Sequence, residues 1–367
     1  MRILFVCENY VPHIGGAEIV FKTLAEELVQ RGHTVDLVTH QIPGTQRFEV
    51  IGGVRVHRVS CLDSRYVFTF AALPRVLSLA RKADIIHTTT FNGAPSAWLA
   101  ARLLGKTCVL TVHEVWIGKW NKVTDKRRVS ALIHNLLERM IYLLPFDHYA
   151  CVSKHTRSCL IRNGISSQSS VVYNGVQYDH FTPRKAAKNK QYTFLCYGRP
   201  GASKGIDIAV RAFASVVQQV PVRMVLMLSK DSAYRKRYFA LRRLVRTLRV
   251  EQSVQFVDPV LWKELPSVIS SADCVVIPSL AEGFCFAAAE TAALGVPIVA
   301  TTAGSLPEVV SGKVVLVAPR DMVALARGMR DAYAENYTNI PKKYFSIQEN
   351  VENYISIYQR FVPRGGR

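Results

Sequence analysis

Short apolar runs alternate with stretches of helical length along the whole chain, and this alternation limits the fold more than any other feature. Residues 3–7 (ILFVC), 36–38 (DLV), 84–86 (DII), 108–112 (CVLTV) and 149–152 (YACV) have the length and composition of strands buried on both faces. Between them, 17–31, 93–104, 128–144 and 153–162 carry amphipathic helical spacing. Strand–helix–strand alternation packs as a doubly wound α/β domain. The pattern breaks once. Asn174-Gly175 is a turn signal, and 182–190 is polar, basic and poor in anything to bury, as a linker would be. It then restarts, with strands expected at 194–198, 224–228, 254–257, 274–278 and 297–300, and a last one at 314–317. Helices fit at 205–219, 232–249, 262–271, 286–294, 321–336 and 346–361. Two α/β domains follow, residues 1–183 and 184–345.

The chain of 367 residues, 49% hydrophobic, is long enough for two such cores. Met1 to Cys7 already has the character of a buried strand, so no secretory leader is expected. No apolar run reaches the ~18–20 residues of a membrane span. The eight cysteines are scattered without a C-x-x-C pair, which suits buried reduced thiols and gives no metal site. The unusual number is the net charge of +20, spread over both halves. Such a surface attracts nucleic acid, anionic lipid or phosphorylated substrates. No recognition helix or aromatic sheet motif supports nucleic acid. Two segments concentrate the charge. Lys126-Arg127-Arg128 leads into an apolar-rich helix, and 235–249 holds seven cations and no anion. Each suits either an anionic membrane surface or a solvated helix face.

Open parallel sheets bind ligands beyond the carboxyl ends of their strands, which singles out the loops after Cys7, Val112, Gly198, Val257 and Pro278. The first, ENYVPHIGGAE (8–18), places Gly15 and Gly16 at a helix start. Adjacent glycines there either admit an anion to free amides or make a plain turn. The spacing is not G-x-G-x-x-G, so a nicotinamide or flavin site lacks its main support. In GRPGASKG (198–205), Arg199 and Lys204 flank a flexible segment. They suit a diphosphate or are two solvated cations. PSLAEGFCFAAAE (278–290) is the most specific stretch. It offers a carboxylate, Glu282, a turn at Gly283, helix-start amides from about Phe286, and a second carboxylate, Glu290, among small apolar residues where it needs a partner. His113, after CVLTV, and less clearly His87, stand where a cleft or a core histidine would. Residue 117 is Ile, so H-E-x-x-H is absent.

In order along the chain, GGAE (15–18), TVHE (111–114), VYNGVQYDHF (172–181), the Arg199/Lys204 loop, E-x7-E (282–290) and GVPIVATTAGSLPEVV (295–310) resemble the glycosyltransferases of family 4. The resemblance covers nearly the whole chain. It implies the GT-B architecture, two Rossmann-like domains facing a cleft, with helix 346–361 returning to the first. It implies a retaining, metal-independent hexosyltransferase without a cofactor, using a UDP- or GDP-linked sugar as substrate and a glycan or lipid-linked acceptor. It would be cytoplasmic, at most peripheral on the inner face of a membrane. By position, Arg199 and Lys204 would bind the diphosphate, Glu282 the sugar hydroxyls and Glu290 the ribose. Gly283, Phe284, Cys285, Phe286 and Ala287 would border phosphate and sugar, Val257 the base, Gly15 and Gly16 the diphosphate, and His113 the sugar near the reacting carbon. Cys285, Ala287 and Asp258 depart from the usual glycine, proline and glycine, which bears on donor identity. An epimerase or phosphorylase of the same architecture is the alternative.

Overall fold

The apolar run after Met1 forms β1 (Arg2–Val6), a central strand buried because both its faces are covered, Ile3 and Phe5 entering one core cluster and Leu4 and Val6 another. The computed structural model describes every residue except Ile14, Asp63, 166–167, 185–189 and 363–367. The chain forms two compact units. One comprises Met1–Gly118, Leu132–Gly175 and the chain from Phe345; the other comprises Lys119–Ala131 and Val176–Tyr344. Most of the stretch expected to link the domains lies outside the described residues.

The first unit adds β2 (Thr34–His40), β3 (Phe48–Ile51), β4 (Val54–Val59), β5 (Ile85–Thr89), β6 (Thr107–Val112), β7 (His148–Cys151) and β8 (Ser169–Val171). The sheet order is β3-β4-β2-β1-β5-β6-β7-β8, parallel throughout except for β3. Its helices are α1 (Gly16–Gln30), α2 (Arg65–Ala71), α3 (Leu73–Ala80), α4 (Ala94–Leu104), α6 (Arg128–Leu143) and α7 (Lys154–Arg162), the first turn of α6 being grouped with the other unit; α5 (Trp120–Val123) belongs to that unit too.

The second unit orders its strands β11-β10-β9-β12-β13-β14-β15. These are β9 (Tyr192–Gly198), β10 (Val222–Leu228), β11 (Val254–Val257), β12 (Cys274–Ile277), β13 (Ile298–Thr301), β14 (Gly312–Val317) and β15 (Thr338–Ile340), with only β15 antiparallel. Around them lie α8 (Ile206–Val216), α9 (Arg235–Thr247), α10 (Leu265–Ser271), α11 (Phe286–Ala293), α12 (Leu306–Val309) and α13 (Met322–Tyr333). The last helix, α14 (Ile347–Phe361), packs on the first unit. It buries Val351, Tyr354, Ile357 and Tyr358 against the core of β1, β2 and α1.

Several elements escape the apolar pattern. β14 is not the last strand, because β15 follows it as a short, largely exposed edge with no apolar run. β4 alternates, burying Val54 and Val56 while Arg55 and His57 stay half-exposed. It pairs with β3 through Gly52 and Gly53, whose φ values of +56° and +82° are those a tight hairpin turn demands. The helices α2 and α3 follow each other directly, and Pro74 opens the second.

His87 is core rather than site. It is fully buried, its Nδ1 2.6 Å from the Tyr358 hydroxyl and its Nε2 2.7 Å from Thr111 Oγ1. The Tyr354 hydroxyl is 2.8 Å from the same Thr111 oxygen. Burial lowers the His87 pKa to about 3, and those of His113 and His148 to about 4. All eight cysteines are buried, and none is joined in a disulfide. Among the described residues no helix is long and apolar enough to cross a membrane.

These histidines are neutral in the folded protein at pH values where the unfolded chain protonates them. The unfolded state therefore binds more protons between about pH 3 and 6.5, and stability is lost as pH falls through that window. Thermal melts should show Tm dropping steadily from pH 7 to pH 4.5. Tyr358→Phe, which strands the buried Nδ1 of His87, should cost a further 1–3 kcal/mol, roughly. An unchanged Tm for that variant would remove α14 from the stabilising network.

Candidate functional site

In the second unit the strand order reverses between β9 and β12, with β10 and β11 on one side and β13 to β15 on the other. Loops leaving such neighbours part to opposite faces and open a crevice at their carboxyl ends. The loops in question are 198–205 and 278–285, the two that carry Arg199, Lys204 and Glu282.

The first loop folds as consecutive turns. Gly201 N donates to Arg199 O at 2.9 Å and Lys204 N to Gly201 O at 3.0 Å. Arg199 is exposed to solvent. Lys204 Nζ lies 2.7 Å from Glu282 Oε1, so the ammonium and the carboxylate meet across the crevice. Backbone ties the loops as well. Leu280 N donates to Ser203 O at 2.6 Å, and Gly205 sits so close to Pro278 that a Cβ would fall 2.2 Å from its carbonyl oxygen.

Glu282 is buried and held from behind. Ser279 Oγ donates to its Oε1 at 2.6 Å, and Ser305 N donates to its carbonyl at 3.1 Å. Ser305 Oγ donates to Phe284 O at 3.0 Å. Gly304, at φ +62°, leaves no room for a side chain, since its Cβ would stand 2.2 Å from Glu282 O. Beyond Phe284, Cys285 takes φ +75°, a region that costs an L-residue about 1 kcal/mol or more. This explains why glycine suits the position in the family pattern. Burial, and then the neighbouring Glu282, push the Cys285 thiol well up, which keeps it protonated. The turn opens α11, whose first internal bond runs from Ala288 N to Cys285 O. The amides of Phe286 and Ala287 thus precede the helical ladder, where an anion is favoured.

Glu290, inside α11, is also buried, and its partner is Tyr197 from β9, whose hydroxyl is 3.0 Å from Oε2. Burial raises the Glu290 pKa to about 7, and the tyrosine bond pulls it down. The two carboxylates are therefore poised differently: Glu282 paired with a cation, Glu290 near the midpoint of its titration at neutral pH. Val257 ends β11, the edge strand two places from β9, or ~10 Å at the usual strand spacing. Asp258, just beyond, is exposed and ion-paired with Lys230, so its charge is compensated.

In the first unit, Gly15 is extended and starts α1 at Gly16. Its carbonyl takes the first helical bond, from Ile19 N at 3.0 Å, leaving the amides of Gly16 to Glu18 ahead of the ladder. His113, beyond β6, packs edge-on to Phe21 of α1 with ring centroids 6.1 Å apart. Its Nε2 is buried with no hydrogen-bond partner among the described residues. His113 thus lies against α1, the helix that Gly15 and Gly16 begin. At the order reversal of this sheet, between β1 and β5, the Glu8 carboxylate takes hydrogen bonds from Arg65 Nε at 2.8 Å and from the Asn92 side chain. Sequence patterns missed Tyr197, Ser279, Ser305 and Glu8. Tyr197 lies in a run that reads simply as strand, whereas Ser305 falls inside the AGSLPE segment and could have been marked.

Residues 14–180 match the model of Glycosyltransferase Family 4, and residues 191–335 that of Glycosyl transferases group 1. An uncharacterized glycosyltransferase of Methanocaldococcus jannaschii is 29% identical over 90% of this chain and 88% of its own. A subunit of the human phosphatidylinositol N-acetylglucosaminyltransferase is 24% identical over 98% and 76%. Among solved structures, sucrose-phosphate synthase from Thermosynechococcus elongatus superposes with a TM-score of 0.81 at 20% identity, covering 98% of both chains. Anabaena HepE in complex with UDP-glucose gives 0.74 at 18%, again covering 98% of both. The chain belongs to the family 4 glycosyltransferases and has the GT-B fold.

Tyr197→Phe should raise the Glu290 pKa further. A ligand that needs the ionised carboxylate would then bind more weakly at pH 6.5 than at pH 8.5, by several-fold relative to the native chain. Calorimetric titration with nucleoside diphosphates at the two pH values reads this directly, and equal losses at both would disprove the coupling. Gly304→Ala should cost about 2 kcal/mol or more in a denaturant melt, because backbone at Glu282 must move.

Proposed function

We propose that this glycosyltransferase moves a hexose-type sugar from a UDP- or GDP-linked donor to a glycan or lipid-linked acceptor, retaining the anomeric configuration. The observation that carries this is the meeting of Lys204, Glu282 and Ser279 at the strand-order reversal, beside the amides that open α11. In this reading Lys204 and Arg199 neutralise the diphosphate as the glycosidic bond breaks. That is the task a metal would otherwise perform, so no metal or cofactor is required. Phe286 and Ala287 add backbone amides, with Gly283, Phe284 and Cys285 shaping the turn. Glu282 takes sugar hydroxyls, Glu290 the ribose, and Val257 borders the base.

Gly15 and Gly16 contribute anion-binding amides, and His113 offers its unpaired Nε2 to the sugar. As a neutral imidazole with a pKa of about 4 it acts by hydrogen bonding. The transition state is oxocarbenium-like. No carboxylate is assigned as a nucleophile, so the acceptor oxygen attacks from the face the diphosphate leaves. UDP is the preferred leaving group, in keeping with the UDP-glucose complex of a structural relative. A lipid-linked acceptor is preferred, in keeping with a relative that acts on phosphatidylinositol by its name and with the charge of +20. The protein then works from the cytoplasmic side, peripheral to an anionic membrane.

A panel of UDP- and GDP-sugars screened by thermal shift identifies the donor, since bound ligand stabilises by mass action. With that donor, Lys204→Ala and Glu282→Ala should each lower kcat/KM at least ~100-fold with the fold intact. Full turnover in both variants would dissolve the assigned site. Nucleoside diphosphate released only when acceptor is present distinguishes transfer from epimerase or phosphorylase chemistry.

A further inference from the structure

The helix α6 carries apolar residues on both sides: Ala131, Ile141 and Tyr142 face the protein, and a second set faces outward. Its inward side carries Glu138, only 1% exposed, which accepts from Trp116 N at 2.8 Å. Tyr142, also inward, donates its hydroxyl to Glu114 O at 3.3 Å. The outward side is apolar: Leu132 is 70% exposed, Leu136 60%, Met140 54% and Leu143 80%. These positions recur at three- and four-residue steps and form one stripe. Beside it stands α2, joined to α6 by the hydrogen bond between Tyr66 and His134 at 3.1 Å. From α2, Phe70 is 78% exposed. Exposed apolar side chains are ordinary when scattered. A contiguous stripe spanning a whole helix marks a contact surface.

The charges around the stripe identify what covers it. With Glu138 buried, the exposed ionised residues of α6 are Arg128 and Arg139, both cationic. Lys126 and Arg127 immediately precede the helix. The acid just upstream, Asp125, is already ion-paired with Arg237, so an apolar face whose helix exposes only cations matches an anionic lipid surface, with acyl chains taking the leucines and phosphates the guanidinium groups. The other basic helix, α9, differs. It buries its own apolar stripe, Tyr238, Leu241 and Val245, and shows mainly solvated cations.

We propose that α6, with Phe70 of α2, lies in the interfacial layer of an anionic bilayer and anchors the protein there. This rests on the membrane part of the function proposed above and is independent of its donor part. The experiment is sedimentation of the full chain with phosphatidylcholine vesicles, with and without phosphatidylglycerol. It compares the native protein, Leu132→Glu/Leu136→Glu and, as a control on α9, Phe239→Glu. All three sites are exposed, so folding should survive, as Tm verifies. Binding should require phosphatidylglycerol, fall at least tenfold in the double variant, and persist in the control. Equal binding to both vesicle types, or undiminished binding by the double variant, overturns the proposal. So does light scattering that finds a native dimer and a monomeric double variant, since the stripe would then join two copies. The thermal shift induced by the donor in vesicle-free solution should match the native value in the double variant. Absence of any donor-induced shift in the native chain would count against the donor assignment and leave the vesicle result standing.

Discussion

The ion pair between Lys204 and Glu282 depends on where parallel strands part. β9 and β12 are neighbours whose following loops leave on opposite faces, and only there can a cation from one loop reach a carboxylate from the other. Much of the nearby backbone serves to keep that meeting in place. Gly205 presses against Pro278, Gly304 presses against Glu282, and Ser279 and Ser305 satisfy the groups left over. A buried carboxylate with a cation and a hydroxyl on one oxygen is held in a single pose.

The second carboxylate shows what burial does without a cation. Glu290 has a tyrosine for a partner, and its pKa rises to about 7. Two buried acids of the same chemistry, one before α11 and one within it, are thus held by different partners, a cation for Glu282 and a phenol for Glu290. The buried histidines follow the same rule with opposite sign, staying neutral because water is excluded from them. His87 has both nitrogens satisfied and stabilises the fold. His113 has one nitrogen without a hydrogen-bond partner among the described residues. Satisfaction, more than burial, separates these two histidines.

Fold class was legible in the sequence because buried parallel strands are apolar without interruption, so β1, β6, β9, β10 and β12 stand out. Strands with one exposed face or an edge, such as β4 and β15, lack that signal and went unread. The cluster of Lys204, Glu282 and Glu290 was legible through its spacing and its resemblance to a family. Tyr197 was not, because a tyrosine in a strand looks the same whether it fills a core or props a carboxylate.

Local chemistry lies in the sequence: which residues are charged, where glycines allow a turn, which segments repeat every two or every three to four residues. From these follow the two α/β units, the family and most of the candidate site. Tertiary structure alone decided which face of each helix meets the protein. The helices α6 and α9 are both basic and amphipathic in sequence, yet one displays its apolar stripe and the other buries it. Periodicity records that two faces differ. Which of them is covered depends on neighbours contributed by distant parts of the chain.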